Sequence, residues 1–170
     1  MEKTKIKKLP ELSSLVKKHK VKGKTVGLIT GCFDILHIGH IKLFQEAKRC
    51  ADIVVIGIDN DDSIRLTKGA NRPVNNQNNR LCFLSILNCV DYVFLIENVF
   101  NFNDKKTATA IQETIYQTIV PNYLITNKKT DKYWKNKKKS LQKFGIKMID
   151  TNQDMLGATT KIIEHLLSEL

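Results

Sequence analysis

The chain has 170 residues, 42% of them hydrophobic, and a formal net charge of +11. That length suits one domain with its own core, and the hydrophobic fraction is ordinary for a globular protein. No apolar run approaches the roughly 18 residues needed to span a bilayer. The opening MEKTKIKKLPEL lacks the apolar stretch of a secretory signal, so residence in the cytoplasm is expected and a membrane partner is not. The charge directs attention to anionic partners (nucleotides, sugar phosphates, nucleic acid or acidic lipid) without choosing among them.

In chain order, residues 1–24 form a helical lead-in, with a helix from about Pro10 that buries Leu12, Leu15 and Val16. TVGLIT (25–30) is a short β-branched run, and GCFDILHIGH (31–40) follows it. A helix then begins at about Ile38 or Gly39, with Ile41, Phe44 and Ala47 on one face. IVVIGI (53–58), YVFLI (92–96), YLIT (123–126) and IKMI (146–149) continue the strands. Ile111, Ile115 and Ile119, and later Ile162, Leu166 and Leu170, mark further helices. Near-continuous apolar strands alternating with helices predict a Rossmann-like, doubly wound parallel sheet of about five strands in one domain, residues 1–170. Two segments read as long loops: TKGANRPVNNQNN (67–79) and the lysine-rich NKKTDKYWKNKKK (127–139). Ligands of such sheets bind beyond the carboxyl ends of the strands, so both are candidates for the site.

Four cysteines, Cys32, Cys50, Cys82 and Cys89, contain no C-x-x-C pair, which argues against structural zinc. Cys50, Cys82 and Cys89 lie in apolar segments and read as small buried hydrophobes. His37 and His40 could themselves bind a metal, but only Asp34 lies within a turn to complete a set, so no metal ligand is assigned to side chains. The better reading of residues 31–40 is an anion site. Gly31 would let the chain turn sharply and a ligand come close. The helix N-terminus presents unpaired N–H groups, and His37 and His40 share a face about one turn apart. Asp34 fixes the turn or orients a neighbour.

GCFDILHIGH resembles the G-x-F-D-x-x-H-x-G-H signature of the cytidylyltransferase-like nucleotidyltransferases; class I aminoacyl-tRNA synthetases share its H-x-G-H element, but 170 residues leave no room for a tRNA-recognition domain. KGANRPVNNQNNR (68–80), VDYVFLI (90–96) and GATTKII (157–163) make the chain similar to the adenylyltransferase family for D-glycero-β-D-manno-heptose 1-phosphate. The resemblance implies that a substrate phosphate attacks the α-phosphorus of ATP and pyrophosphate leaves, with Mg2+ accompanying the triphosphate and a homodimer as the family habit. By resemblance Thr30, Gly31, Cys32, Phe33, Gly39 and Thr126 lie along the nucleotide, and His37 and His40 contact the triphosphate and stabilise the transition state. Lys42 is a lesser helper. Ala158, Thr159 and Thr160 match the C-terminal phosphate motif, Thr159 doubling as an ordinary N-cap. Asp34 and Asp61 fall on the substrate side, Asp61 being equally placed to cap the next helix. Lys68, also a catalytic candidate, and Arg72 would hold the sugar phosphate or the pyrophosphate. Arg80 would bind phosphate or form an ion pair with a strand-end acid.

The fit is incomplete. ITNKKTDKYW stands where the family has a Gly-Gly-Asp-Tyr-like turn, which leaves the base open between adenine and cytosine, with Asp131 and Tyr133 as partial stand-ins. Ala158 replaces a usual serine. The fused sugar kinase domain common in the heptose family is not among these residues, so a separate transferase is expected. A CTP-dependent cytidylyltransferase acting on glycerol 3-phosphate is the alternative. A nucleic-acid-binding module is the rival class. It rests on seven lysines from Lys128 to Lys139, Tyr133, Trp134 and the charge, and it leaves the histidines unexplained.

Overall fold

The computed structural model describes residues 5–152. Its elements alternate as expected: α1 (Leu9–Val21), β1 (Val26–Gly31), α2 (Ile38–Cys50), β2 (Ile53–Asp59), α3 (Asp61–Lys68), α4 (Gln77–Ser85), β3 (Tyr92–Ile96), α5 (Lys105–Ile119), β4 (Tyr123–Thr126), α6 (Trp134–Leu141) and β5 (Lys147–Asp150). All five strands are parallel, in the order β3-β2-β1-β4-β5. The chain steps outward from β1 to β3 and then returns to the other side of β1. The switch point therefore lies between the carboxyl ends of β1 and β4, where such sheets open a crevice.

Strand alternation divides the core into two layers. Val26, Leu28, Val55, Phe94 and Leu124 pack with Leu12 and Val16 of α1 and Ile115 and Ile119 of α5. Ile29, Val54, Ile56 and Ile125 pack on the other face with Phe44 and Ala47 of α2 and Leu81 and Leu84 of α4. Gly57 is required by this packing: a Cβ there would lie 2.6 Å from Cζ of Phe94. The outer edge of β3 is covered by the start of the described chain. Lys7 N–H donates to Val93 O (2.9 Å), and Val93 N–H donates to Lys5 O (3.0 Å). Pairing there removes an open edge.

Three expectations change. The first long loop shrinks to residues 69–76, because α3 runs to Lys68 and α4 starts at Gln77, capped by the Asn76 side chain on Asn79 N–H. The second shrinks to 127–133, because the lysine run becomes α6. Cys82 is exposed rather than buried, since the i,i+3 pair Leu81 and Leu84 faces the sheet and turns Cys82 outward. Cys50 and Cys89 are half-buried. The helix expected around Ile162, Leu166 and Leu170 lies outside the described residues.

Candidate active site at the switch point

β1 ends at Gly31, and the chain turns through Cys32 and Phe33 into α2. The left-handed residue of the turn is Phe33 (φ +47°), not Gly31. A non-glycine residue held there stores backbone strain of about 1–3 kcal/mol. Gly31 serves the turn differently: a Cβ on it would sit 3.2 Å from Cζ of Phe33, so the glycine makes room for that ring.

The strain is held by a buried ion pair. Asp34 is 2% exposed and receives Arg72 Nη2 at 2.6 Å and Arg72 Nε at 2.7 Å. Asn75 N–H donates to the same carboxylate (3.0 Å), and the Asn75 side chain donates to Asp34 O (2.7 Å). Asp34 therefore fixes the turn, one of its two sequence readings, and the loop 69–76 is the partner it fixes. Arg80, 1% exposed, ties the same loop down. Its guanidinium donates to Asn75 O (3.0 Å), Cys32 O (2.7 Å) and Asp61 Oδ1 (2.7 Å). Of the two readings for Arg80, the structure realises the ion pair, with an acid at a helix start rather than a strand end. The capping alternative for Asp61 gives way as well: the cap of α3 is Asn60, whose side chain accepts from Ser63 N–H (2.8 Å).

Past this turn, α2 begins with His37 at its N-cap and no side-chain cap on its first turn. Its leading N–H groups thus carry the partial positive charge of a helix start. Gly39 is buried within that first turn. His37 and His40 stack with ring centroids 3.8 Å apart. Phe33 meets His40 edge-on at 5.2 Å, and Phe44 stacks behind it at 6.3 Å. Burial, then the neighbouring His37 and Lys68, pushes His40 down to about 3, and burial lowers His37. Both rings are therefore neutral near pH 7. Each leaves a buried Nδ1 without a hydrogen-bond partner among the described residues. Neutral imidazoles at a helix N-terminus can donate N–H bonds to phosphate oxygens without like-charge repulsion between the stacked rings.

Lys68, the last residue of α3, is exposed, and its positive charge acts on Cys32, His40 and Asp59 at this turn. Lys42 lies on the exposed side of α2. On the other side of β1, Thr126 ends β4 and donates from Oγ1 to Asp131 (2.8 Å). Asp131 also takes Lys137 Nζ (2.8 Å) and Tyr133 N–H (2.9 Å). Burial alone would raise the Asp131 carboxyl, but Lys137 and these hydrogen bonds hold it low. The lysine-bearing substitute for the glycine turn is thus an ordered structure built on β4. Its lysines are not all solvated: the Lys137–Asp131 pair is only 10% and 11% exposed. Lys128 pairs with Asp150 (3.3 Å) and lies, with Lys135, over the Trp134 ring.

Thr30, Gly31, Cys32, Phe33, His37, Gly39, His40, Lys68 and Thr126 thus gather around the carboxyl ends of β1 and β4. Asp34, Asp61, Arg72 and Arg80 form the frame beside them. Ala158, Thr159 and Thr160 lie outside the described residues. Sequence reasoning passed over Asp59, which ends β2 and is 2% exposed; the signal was an aspartate closing an otherwise apolar strand. Lys137 was also missed, hidden among its neighbours in the run. No helix among the described residues is long and apolar enough to cross a membrane.

A parallel sheet whose switch point carries a bare helix N-terminus and a neutral histidine pair defines an α/β protein that handles nucleotide phosphates. Residues 28–165 match the family described as cytidylyltransferase-like, and the chain belongs to it as a nucleotidyltransferase. It is similar to the bifunctional protein HldE of Geotalea uraniireducens, with 42% identity over 93 residues, 55% of this chain and 19% of that protein. The same holds for HldE of Aliarcobacter butzleri, at 41% over 92 residues, 54% and 19%. The chain therefore spans 19% of the length of these curated relatives. Among solved structures, the fold is shared with a pantoate-beta-alanine ligase from Francisella tularensis, which was complexed with beta-gamma ATP and beta-alanine. The TM-score is 0.67 at 18% identity, covering 99% of this chain and 79% of that one. A lipopolysaccharide core biosynthesis protein from Thermoplasma volcanium shares the fold at a TM-score of 0.57 and 24% identity, over 78% of this chain and 100% of that one.

Proposed function

We propose that the enzyme joins a sugar 1-phosphate, by resemblance D-glycero-β-D-manno-heptose 1-phosphate, to ATP in the cytoplasm, giving a nucleotide sugar and pyrophosphate. The observation that carries this reading is the stacked, neutral His37–His40 pair at the bare start of α2. An oxygen of the acceptor phosphate attacks the α-phosphorus, the bond to the β-phosphate's bridging oxygen breaks, and pyrophosphate takes that electron pair. The nucleophile is already ionised, so no side chain need be activated. What the protein supplies is in-line placement and donors aimed at the charge that develops on the transferring group. In this reading His37, His40 and the first N–H groups of α2 bind the triphosphate, and Lys68 offsets charge on the acceptor phosphate or the leaving pyrophosphate. Arg72 acts through Asp34, holding the turn that aims the histidines.

Among the described residues no group of three or more His, Cys, Asp or Glu is placed to hold a metal. A Mg2+ would arrive with the triphosphate and be held by phosphates and water. It would supply charge neutralisation at the α-phosphoryl group.

Pyrophosphate release with ATP and with CTP, each against heptose 1-phosphate, glycerol 3-phosphate and phosphocholine, tests the reading. Turnover with ATP and heptose 1-phosphate is expected. Turnover with CTP alone would move the enzyme to the cytidylyltransferase branch, and silence in every combination would overturn the proposal.

A further inference from the structure

Asp59 stands in a place the nucleotide chemistry above leaves unused. It closes β2, a strand otherwise made of apolar residues and glycine, and is 2% exposed. Its Oδ2 is buried and has no hydrogen-bond partner among the described residues. The neighbour that acts most on the carboxyl, after burial, is the Cys32 thiol. Lys68 of α3, Arg80 of α4, Lys137 of α6 and Tyr133 before α6 all sense its charge. Burial still pushes the carboxyl up to about 6, against the pull of Cys32, Lys137, Arg80 and Lys68. A buried carboxyl left short of partners destabilises a fold. The strand does not need this one, because β2 pairs with β3 through its backbone.

A second orphan lies beside it. Thr30 pairs in register with Gly57, so Thr30 and Asp59 share the face of the sheet that Leu28 and Val55 occupy lower down. Thr30 Oγ1 is also buried without a hydrogen-bond partner among the described residues. Two unsatisfied oxygens thus sit at the carboxyl ends of adjacent strands, where ligands of this fold class bind. A carboxylate repels phosphate and accepts from hydroxyls. These groups therefore suit the hydroxyl-bearing part of a ligand.

Lys68 provides the anchor. It is exposed, and its charge is sensed at Cys32, His40 and Asp59. An acceptor phosphate is a strong partner for an ammonium. Lys68 holding that phosphate would bring the hydroxyls next to it toward Asp59 and Thr30.

We propose that Asp59, with Thr30, reads the hydroxyl groups of the acceptor, so that the site selects polyhydroxy phosphates such as sugar phosphates over phosphocholine. This rests on the nucleotidyl-transfer reading above. The test compares wild type with Asp59→Leu, Asp59→Asn and Thr30→Val in steady-state pyrophosphate release. Asp59→Leu should raise KM for heptose 1-phosphate about tenfold or more, the loss expected for a hydrogen bond to a charged group. KM for ATP should stay within about twofold in Asp59→Leu and Asp59→Asn, and Asp59→Asn and Thr30→Val should give sugar-phosphate KM values between those of wild type and Asp59→Leu. Thermal stability of Asp59→Asn should equal or exceed that of wild type, which a structural role for Asp59 would reverse.

An unchanged sugar-phosphate KM in Asp59→Asn and Asp59→Leu, or an equal rise in the ATP KM, overturns the proposal. Should wild type release no pyrophosphate with any acceptor, that failure belongs to the proposed reaction. Calorimetric titration of heptose 1-phosphate into wild type and Asp59→Asn then decides for Asp59 alone: weaker binding to the variant sustains it, and equal binding, or none to wild type, overturns it.

Discussion

Arg80→Met separates the two jobs that a basic residue in this loop could hold. Methionine keeps most of the aliphatic volume, so the change removes charge and hydrogen bonds with little cavity. Three acceptors lose their donor: Asp61 Oδ1, Cys32 O and Asn75 O. Breaking a buried pair from one side costs about 3–5 kcal/mol. Asp61 keeps 17% of its side chain exposed and can recover some hydration, which favours the lower half of that range. In a domain of this size each kcal/mol moves Tm by about 2–4 °C, so a fall of about 6–16 °C is expected. Urea unfolding should give a lower midpoint with an unchanged slope. Adding Asp61→Leu should restore much of the loss, because the unpaired charge goes with it. Pyrophosphate release should fall through kcat, since Arg80 holds the carbonyl of Cys32 and the loop that pairs with Asp34. A variant with wild-type Tm and a raised KM for the acceptor phosphate would refute this and make Arg80 a phosphate ligand.

Three further outcomes are expected. His40→Ala should lower kcat by about 10²–10³, the range for one lost transition-state donor, and full turnover would remove His40 from the chemistry. Gly57→Ala should destabilise by about 1–3 kcal/mol, because the new methyl meets Cζ of Phe94 at 2.6 Å; an unchanged denaturation midpoint would show that the ring yields freely. Stability should also depend on pH with two opposite signs. His40 is lowered from 6.5 to about 3, so its contribution is present above 6.5 and is lost as pH falls through about 3. Asp59 is raised from 3.8 to about 6, so its contribution is present below 3.8 and is lost as pH rises through about 6. The stability gained by Asp59→Asn over wild type should therefore grow between about pH 4 and 6 and stay level above, and a gain flat across that window would mean an ordinary carboxyl.

The strands were legible because each is a compact β-branched run bounded by turn residues. TVGLIT, IVVIGI, YVFLI, YLIT and IKMI all fall within a residue or two of where the structure puts them. The histidines were legible as a pair because an i,i+3 spacing at a helix start dictates a shared face. Local periodicity also misled. The lysine run reads as polar loop, yet Lys137 is drawn inward by Asp131 to make α6, and Cys82 turns to solvent because Leu81 and Leu84 take the inward face.

What the sequence by itself determined is the βα alternation, the element types and the helix start that carries His37 and His40, all set by short-range pattern. Tertiary structure alone decided which acids Arg72 and Arg80 answer to: Asp34 takes Arg72 across 38 positions, and Asp61 takes Arg80 across 19. It also decided that Phe33 rather than Gly31 is the strained residue of the turn, and that Asp59 Oδ2 and Thr30 Oγ1 end up without hydrogen-bond partners among the described residues. Those outcomes depend on sheet order and on burial, which set which charges share a low-dielectric site, and no spacing along the chain encodes either.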